Sequence, residues 1–175
     1  MSGDHRAFLD ATLPHLDAVH RVATHLTRQP ADADDLAQET YLRAFAGFAG
    51  HHGQDTRAWL VAICLNTARS QARRVARRPQ ETLCATPAED VPASTPDVSD
   101  TVLANLDREA LTAALMRLPE PQRACVVLMD LAGLTAAEVA TILSCPRGTV
   151  LARVHRGRRV LGRLLLAEGV RRDRA

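Results

Sequence analysis

Residues 135–163, TAAEVATILSCPRGTVLARVHRGRRVLGR, contain two helical patterns separated by a tight turn. Thr135 and Glu138 stand three residues apart ahead of an apolar run, which is the spacing of a capping box at the start of a helix. Ser144–Cys145 forms the turn, and Pro146 suits the first position of the next helix because no amide is needed there. Two short helices joined in this way, the second rich in arginine, predict a helix-turn-helix motif.

The second helix of this motif has two opposite faces. At about 100° per residue, Val150, Val154 and Leu161 fall within about 40° of one another, which predicts a face packed inward. The opposite face carries groups that can contact phosphates and base edges: Thr149, Ala152, His155, Arg156, Arg159 and Arg163. Such a face suits the major groove of duplex DNA, although a surface helix with solvated arginines has the same pattern.

The rest of the chain is also helical by pattern, so we expect an all-α fold. In the second half, helices are predicted at about 102–117, 120–131, 135–143 and 146–166. In the first half, they are predicted at 6–28 with a kink at Pro14, at 33–48 with Asp32 as N-cap, and at 56–78. The sequence therefore predicts two small helical domains, 1–78 and 102–175, joined by an extended, acidic, proline-rich linker, 79–101.

Two helices of the first domain have distinct faces. In the 33–48 helix, Ala37, Tyr41, Ala44 and Phe48 form the stripe that we expect to face the core, with Asp35, Gln38, Glu39 and Arg43 on other faces. The 56–78 helix begins with an apolar, buried base. It continues with one polar face made of Asn66, Arg69, Ser70, Arg73 and Arg77. A buried base with a basic outer face suits a DNA-contacting helix.

The charge of the chain is arranged in blocks. All 22 basic residues are arginine, and the formal net charge is only +2. Residues 56–79 contain six arginines and no acid, and residues 147–175 contain nine arginines and two acids, while residues 80–110 contain seven acids and one arginine. The two basic blocks suggest two anchors on one polyanion, although two solvated helix ends would have the same charge. No aromatic residue follows Trp59, so the second domain cannot stack bases on aromatic rings.

Several classes of protein are excluded by the sequence. No apolar run is long enough to span a membrane, and the N-terminal residues do not resemble a secretory signal, so we expect a cytoplasmic protein. The four cysteines, at 64, 84, 125 and 145, lack the spacing of a zinc site, and we expect them to be reduced, with Cys64 and Cys125 in apolar surroundings. No phosphate-binding loop or nucleophile motif is present. We therefore expect no enzyme activity, no cofactor and no metal.

Three parts of the chain together resemble the extracytoplasmic-function group of bacterial sigma-70-type RNA polymerase sigma factors. DDLAQETYLRAF at 34–45 is similar to the family's region 2.2, and TRAWL at 56–60 with LNTAR at 65–69 is similar to regions 2.3 and 2.4. LPEPQR at 118–123 and CPRGTV at 145–150 are similar to region 4. These motifs stand in the family's order and at its spacing.

The resemblance implies a promoter-recognition subunit that reads the -35 and -10 elements and opens the -10 region. Its partners would be promoter DNA, the clamp and flap of core RNA polymerase, and, as the family's usual control, an anti-sigma factor. The residues implied to contact the clamp of the largest subunit are Asp35, Gln38 and Glu39. Those implied to contact -10 DNA are His51, His52, Asn66, Arg69, Arg73 and Arg77. Those implied to contact -35 DNA are Arg147, Thr149, Arg153, Arg156 and Arg159.

The sequence departs from the family's pattern in the recognition helix. The family usually has a basic residue followed by Ser after Gly-Thr-Val, and this chain has Leu151 and Ala152. An inactive sigma decoy is therefore one alternative. A one-component helix-turn-helix regulator is another, but it leaves the carboxylates of the 33–48 helix without a role. Within the linker, Glu81, Glu89, Asp90, Asp97 and Asp100 suit a path along the basic channel of the polymerase, although a solvated tether is the simpler interpretation.

Overall fold

This computed structural model describes residues 3–51, 55–77 and 108–172. These residues form helices and turns, with no strand in any of the three ranges, so the predicted all-α class is confirmed. The acidic residues predicted to act in the linker lie outside the described residues. The helices of the first half are α1 (Gly3–Thr12), α2 (Leu16–Leu26), α3 (Pro30–Gly47) and α4 (Thr56–Arg77). Those of the second half are α5 (described over 108–116), α6 (Glu120–Val126, continued by a π-helical turn, Val127–Leu131), α7 (Ala136–Ile142) and α8 (Arg147–Arg172).

The predicted break at Pro14 is confirmed. A single 3₁₀ turn, Leu13–His15, separates α1 from α2 and contains this proline. Proline lacks an amide hydrogen and its ring crowds the preceding turn, so a continuous α-helix cannot pass through this position without distortion. The break lets α1 fold back so that Phe8 joins the core.

The predicted N-cap of α3 is wrong. The helix begins at Pro30, two residues before Asp32, and Gln29 occupies the N-cap position with an extended backbone and no side-chain cap. Proline is favoured at the first helical position because its fixed φ angle suits the helix and its missing amide has no role there. Asp32 instead lies in the first turn, where its carboxylate faces the positive end of the helix dipole.

The first domain is held together by α2, α3 and α4, which pack against one another. Val19, Leu36 and Leu60 are fully buried where these helices meet. The predicted inward stripe of α3 is correct in position, with its two alanines buried and its two aromatic residues partly buried. The Tyr41 hydroxyl donates to the carbonyl of Thr12 at 3.2 Å, which ties α3 to α1.

The helix-turn-helix of the second domain forms as predicted. The capping box at the start of α7 is confirmed, because Thr135 Oγ1 accepts from the Glu138 amide at 3.3 Å and Glu138 Oε2 accepts from the Thr135 amide at 2.6 Å. Ser144 takes a positive φ of 48° in the turn. The expectation for Pro146 is off by one position: α8 begins at Arg147, and the Pro146 carbonyl accepts its first helical bonds. Proline is therefore at the cap rather than inside the helix.

α8 lies against α6 at a point of very close approach. A Cβ atom added to Gly157 of α8 would be 2.8 Å from Cγ2 of Val126 on α6. Non-bonded carbon atoms do not come this close without displacing one of the helices. Gly157 therefore sets how near these two helices can pack.

The two halves of the chain also contact each other. Arg69 Nε on α4 donates to Glu120 Oε1 on α6 at 2.8 Å, and Arg57 Nη2 donates to the carbonyl of Gly133 at 3.3 Å. His25 on α2, which is buried, forms a 3.0 Å hydrogen bond between its Nδ1 and Oγ1 of Thr112 on α5. The buried side chains of both halves form one connected hydrophobic cluster. None of these contacts was predicted from the sequence.

Candidate nucleic-acid interface

α3 presents the residues implied to contact polymerase on its outer surface. Asp35 and Gln38 are exposed and Glu39 is partly exposed, because Leu36 and the neighbouring alanines occupy the buried side of the helix. Glu39 Oε1 accepts a hydrogen bond from Arg43 Nε at 2.6 Å, one helical turn further on. The surface thus offers carboxylate and amide groups to a partner.

Two large apolar residues extend this surface and are not among the residues that the sequence pattern predicted there. Leu42 is 67% exposed and Phe45 is 46% exposed. Leu42 follows Gln38 by four residues and Phe45 follows Leu42 by three, while Gln38 follows Asp35 by three. All four residues therefore lie along one side of α3. Exposed apolar groups of this size, adjacent to polar ones, are typical of protein contact surfaces. The spacing was visible in the sequence, but spacing alone does not show which apolar residues outside the inward stripe remain exposed.

The polar face of α4 is connected by short hydrogen bonds. Asn66 and Arg73 are exposed. Ser70 Oγ donates to the carbonyl of Asn66 at 2.8 Å and accepts from Arg73 Nη2 at 3.2 Å, which holds Arg73 against the helix. Arg69, on the same face, is engaged by Glu120 of the other half. The side chain of Arg77 lies outside the described residues.

An aromatic corner lies where α3 ends and α4 begins. The ring of His51 stacks on Trp59 with centroids 4.1 Å apart and planes 11° apart, and Phe48 lies edgewise to Phe8 with centroids 5.3 Å apart. His51 Nε2 is buried without a hydrogen-bond partner among the described residues. His52 lies outside them. The corner therefore contains a flat ring on which another ring can stack, and in this conformation His51 covers it.

α8 has the two faces that the sequence predicted. Val150 and Val154 are buried against the rest of the domain, while Arg147, Arg156 and Arg159 are exposed. Arg156 and Arg159 lie about 60° apart on the side of α8 opposite Val150, whereas Arg147 lies in the first turn of the helix, on a different side. Guanidinium groups on the exposed side of a helix that follows a tight turn suit phosphate and base-edge contacts in a major groove.

Three other side chains of α8 are partly buried or are held by residues of the same domain. Thr149 is partly buried. Arg158 Nε donates to Asp130 Oδ2 at 3.0 Å, and this ion pair raises the pKa of the guanidinium above its usual value. Arg153 is partly buried, and its Nη1 donates to the sulfur of Cys145 at 3.7 Å. Arg153 therefore points toward the turn of the helix-turn-helix rather than away from the domain.

The described residues contain no group of three or more His, Cys, Asp or Glu side chains arranged to hold a metal ion. Among the same residues, no helix has the length and hydropathy needed to cross a membrane.

Comparison with protein families identifies two matching regions. Residues 13–78 match the model for sigma-70 region 2, and residues 108–161 match the model for sigma-70 region 4. The first match includes α2 to α4, and the second includes α5 to α7 and the first half of α8.

The chain is similar in sequence to characterised sigma factors. It is 36% identical to the ECF RNA polymerase sigma factor SigM of Mycobacterium tuberculosis, over 94% of this chain and 80% of that protein. It is 37% identical to the ECF sigma factor SigE of Mycolicibacterium smegmatis, over 84% of this chain. That alignment spans only 57% of SigE, which is a longer protein.

Two solved structures have a similar fold. The sigma factor RpoE of Bartonella quintana, in complex with the anti-sigma factor NepR, aligns with a TM-score of 0.71 and 28% identity, over 94% of this chain and 98% of that one. CnrH, in complex with the cytosolic domain of CnrY, aligns with a TM-score of 0.70 and 26% identity, over 94% of this chain and 91% of that one.

Proposed function

The chain belongs to the extracytoplasmic-function RNA polymerase sigma factors of the sigma-70 family. We propose that it directs RNA polymerase to promoters, and that separate surfaces of the chain bind the polymerase, the -10 element and the -35 element. The two family regions stand in order along one chain, and each ends in a helix with an arginine-bearing face. That observation carries the proposal, because a one-component regulator needs only the second region. The protein directs polymerase to promoters and has no reaction of its own, so its place of action is the cytoplasm, with the polymerase.

α8 is the proposed reader of the -35 element. Its exposed arginines can form forked hydrogen bonds to guanine or to phosphates when the helix enters the major groove. The proposed contacts are Arg147, Thr149, Arg153, Arg156 and Arg159. Leu151, which is 46% exposed, offers only an apolar contact on this helix. We therefore expect the arginines to provide most of the affinity for -35 DNA.

α4 and the aromatic corner are the proposed site for the -10 element. The proposed contacts are His51, His52, Asn66, Arg69, Arg73 and Arg77. An unpaired base needs a flat surface on which to stack, and the first domain contains every Phe, Tyr and Trp of the chain. In the described conformation His51 covers Trp59 and Glu120 holds Arg69, so binding of the opened strand requires both to rearrange.

The outer face of α3 is the proposed contact for the clamp of the largest polymerase subunit. Asp35, Gln38 and Glu39 provide its polar groups, and the exposed leucine and phenylalanine beside them provide apolar area. The second domain would meet the polymerase flap. RpoE and CnrH were each solved with a partner, an anti-sigma factor in the case of RpoE. We propose that an anti-sigma partner also binds this chain and holds it inactive.

The proposal is tested by transcription with core RNA polymerase on templates that carry randomised -35 and -10 blocks. We expect transcripts only when the chain is added, from templates enriched in two short motifs at one spacing. Binding to duplex DNA without affinity for core polymerase would instead indicate a one-component regulator. Affinity for core polymerase without any promoter-specific transcript would indicate a decoy.

The polymerase surface has a separate test. Replacing Gln38 and Glu39 together with Ala should weaken binding to core polymerase by about 1–3 kcal/mol for each buried polar contact that is lost. Asp32→Ala is the matched control, because Asp32 is an exposed acid of the same helix outside the proposed contact. Unchanged affinity of the double variant would remove these two residues from the interface.

A further inference from the structure

The first half of α8 has an exposed apolar patch among cationic residues. Gly148, Leu151 and Ala152 are all exposed and form this patch. Leu151 is 46% exposed, and a Cβ atom added to Gly148 would meet nothing within 4 Å, so the space beside the patch is open. Arg147 precedes Leu151 by one helical turn and His155 follows it by one turn, and both are exposed. The patch therefore lies within the surface that we propose for -35 DNA.

Leu151 has no packing role within its own domain. Val150 and Val154 of α8 are buried, and Val160 and Leu161 of the same helix pack against the hydrophobic core. Leu151 does not belong to that cluster among the described residues, because it lies about 100° from Val150 around the helix. The internal packing of the domain therefore does not account for a large apolar residue at this position.

The position of the patch in α8 determines what it would meet on DNA. In a helix-turn-helix, the N-terminal residues of the second helix contact base edges in the major groove. Leu151 and Ala152 are the fifth and sixth residues of α8, and neither side chain can donate or accept a hydrogen bond. Among the four bases, thymine alone has an apolar group on its major-groove edge, the 5-methyl group. Contact between this methyl group and an apolar side chain removes both from water and leaves no polar group unpaired.

The same patch disfavours a G·C pair. In the major groove, guanine presents two acceptors, O6 and N7, and cytosine presents its amino group. An apolar side chain placed against these groups excludes water and offers no hydrogen bond in its place, which weakens binding. The patch therefore discriminates between base pairs in two ways, because it buries a methyl group at an A·T pair and leaves polar groups unpaired at a G·C pair.

We propose that Leu151, together with Ala152, reads the methyl group of a thymine in the -35 element and determines specificity at that base pair. This inference rests on the proposed function, in which α8 enters the major groove. The arginines around the patch provide affinity, whereas the patch selects one base pair. The contact should change affinity by about three- to fivefold, which corresponds to the burial of one methyl group.

Replacement of thymine by deoxyuridine removes the methyl group and nothing else. The -35 element is first selected from randomised promoter templates with the full chain bound to core polymerase. Each thymine of the selected element, on either strand, is then replaced singly by deoxyuridine, and the affinity of the assembled polymerase for the promoter is measured. We expect affinity to fall by about three- to fivefold at one thymine or at two adjacent ones.

Variants of α8 assign this effect to the patch. In Leu151→Ala, promoter affinity should fall and the deoxyuridine effect should be lost. Leu166→Ala is the matched control, because Leu166 is 72% exposed on the same helix but lies 15 residues, or about 22 Å, further along its axis. The control should keep both the affinity and the deoxyuridine effect. Leu151→Arg introduces a side chain that reads guanine, so a repeated selection should enrich guanine in place of thymine at that position.

The inference makes the patch a DNA contact, and several results would overturn it. A selected -35 element made only of G·C pairs would contain no thymine to read. Full affinity at every deoxyuridine substitution would show that no methyl group is read, and an effect that survives in Leu151→Ala would assign the contact to another residue. Weaker binding of Leu151→Ala to core polymerase without DNA would make the patch a protein contact.

The proposed function fails on a different result. Selection of no promoter element at all would contradict the proposed function, and the inference with it. Selection of an element that contains thymine but shows no effect of its methyl groups would contradict the inference alone.

Discussion

Replacing Gly157 with Ala tests the packing of α8 against α6. The new methyl group would be 2.8 Å from Val126 Cγ2 and 3.6 Å from Cβ of Gln122. Val126 is only 2% exposed and is itself packed in the core, so it cannot retreat from the new atom. Overpacking of this kind costs about 1–3 kcal/mol. Against this, alanine is favoured over glycine within a helix by about 1 kcal/mol. The expected net result is a loss of stability of about 1 kcal/mol.

Gly162→Ala is the matched control, because a Cβ atom at Gly162 meets nothing within 4 Å. Here only the helix preference remains, so this variant should be more stable than the natural chain by up to about 1 kcal/mol. Urea unfolding followed by circular dichroism measures both. The two variants should move the unfolding midpoint in opposite directions. An equal or higher midpoint for Gly157→Ala would show that the helices separate without cost, and would refute the close-packing argument.

Three further predictions concern single residues. If Arg156 binds a phosphate, Arg156→Ala should lower the slope of log affinity against log salt for -35 duplex by about one unit. If Arg156 reads guanine instead, the variant should relax one base preference by about 1–3 kcal/mol. Arg117, an exposed arginine in the turn before α6, is the control, and Arg117→Ala should change neither quantity. Thr135→Ala should lower stability by about 0.5–2 kcal/mol through loss of the cap, and an unchanged urea midpoint would contradict this. Burial, and to a lesser extent the charge of Arg108, lower the pKa of His25 in the folded protein below its unfolded value of about 6.5. The unfolded chain therefore takes up a proton first as the pH falls, so the free energy of unfolding should decrease from about pH 6.5 down to the folded pKa. His25→Gln should reduce that loss between pH 7 and pH 5, and an identical pH profile would count against it.

Local chemistry explains what the sequence could predict. The faces of α8 follow from side-chain spacing, the break between α1 and α2 follows from Pro14, and the start of α7 follows from Thr135 with Glu138. Each depends on residues within one or two turns of one another. The two errors, at Asp32 and Pro146, also concern local chemistry, since in both cases a proline near the helix start moved the boundary, by three residues in α3 and by one in α8.

Contacts between distant residues could not be predicted in this way. His25 has the sequence surroundings of an ordinary helix residue, and only the packing of α2 near α5 brings it to Thr112. Arg69 and Glu120 are likewise 51 residues apart in sequence, and only the packing of the two halves brings them together. The residues assigned to DNA and polymerase, the domain boundaries and the role of the acidic linker remain predictions.

The Arg69–Glu120 ion pair affects how DNA binding by this protein should be measured. An arginine that is free in solution releases a counterion from the nucleic acid when it binds a phosphate, and each such event steepens the salt dependence. In the free protein Arg69 already forms an ion pair with Glu120, and salt weakens this ion pair as well. When Arg69 moves to a phosphate, one salt-sensitive contact is lost and another is gained, so its net effect on the salt dependence is small. The number of phosphate contacts inferred from a salt titration should therefore be smaller than the number of arginines at the DNA. Glu120→Gln should restore the missing contribution to the slope.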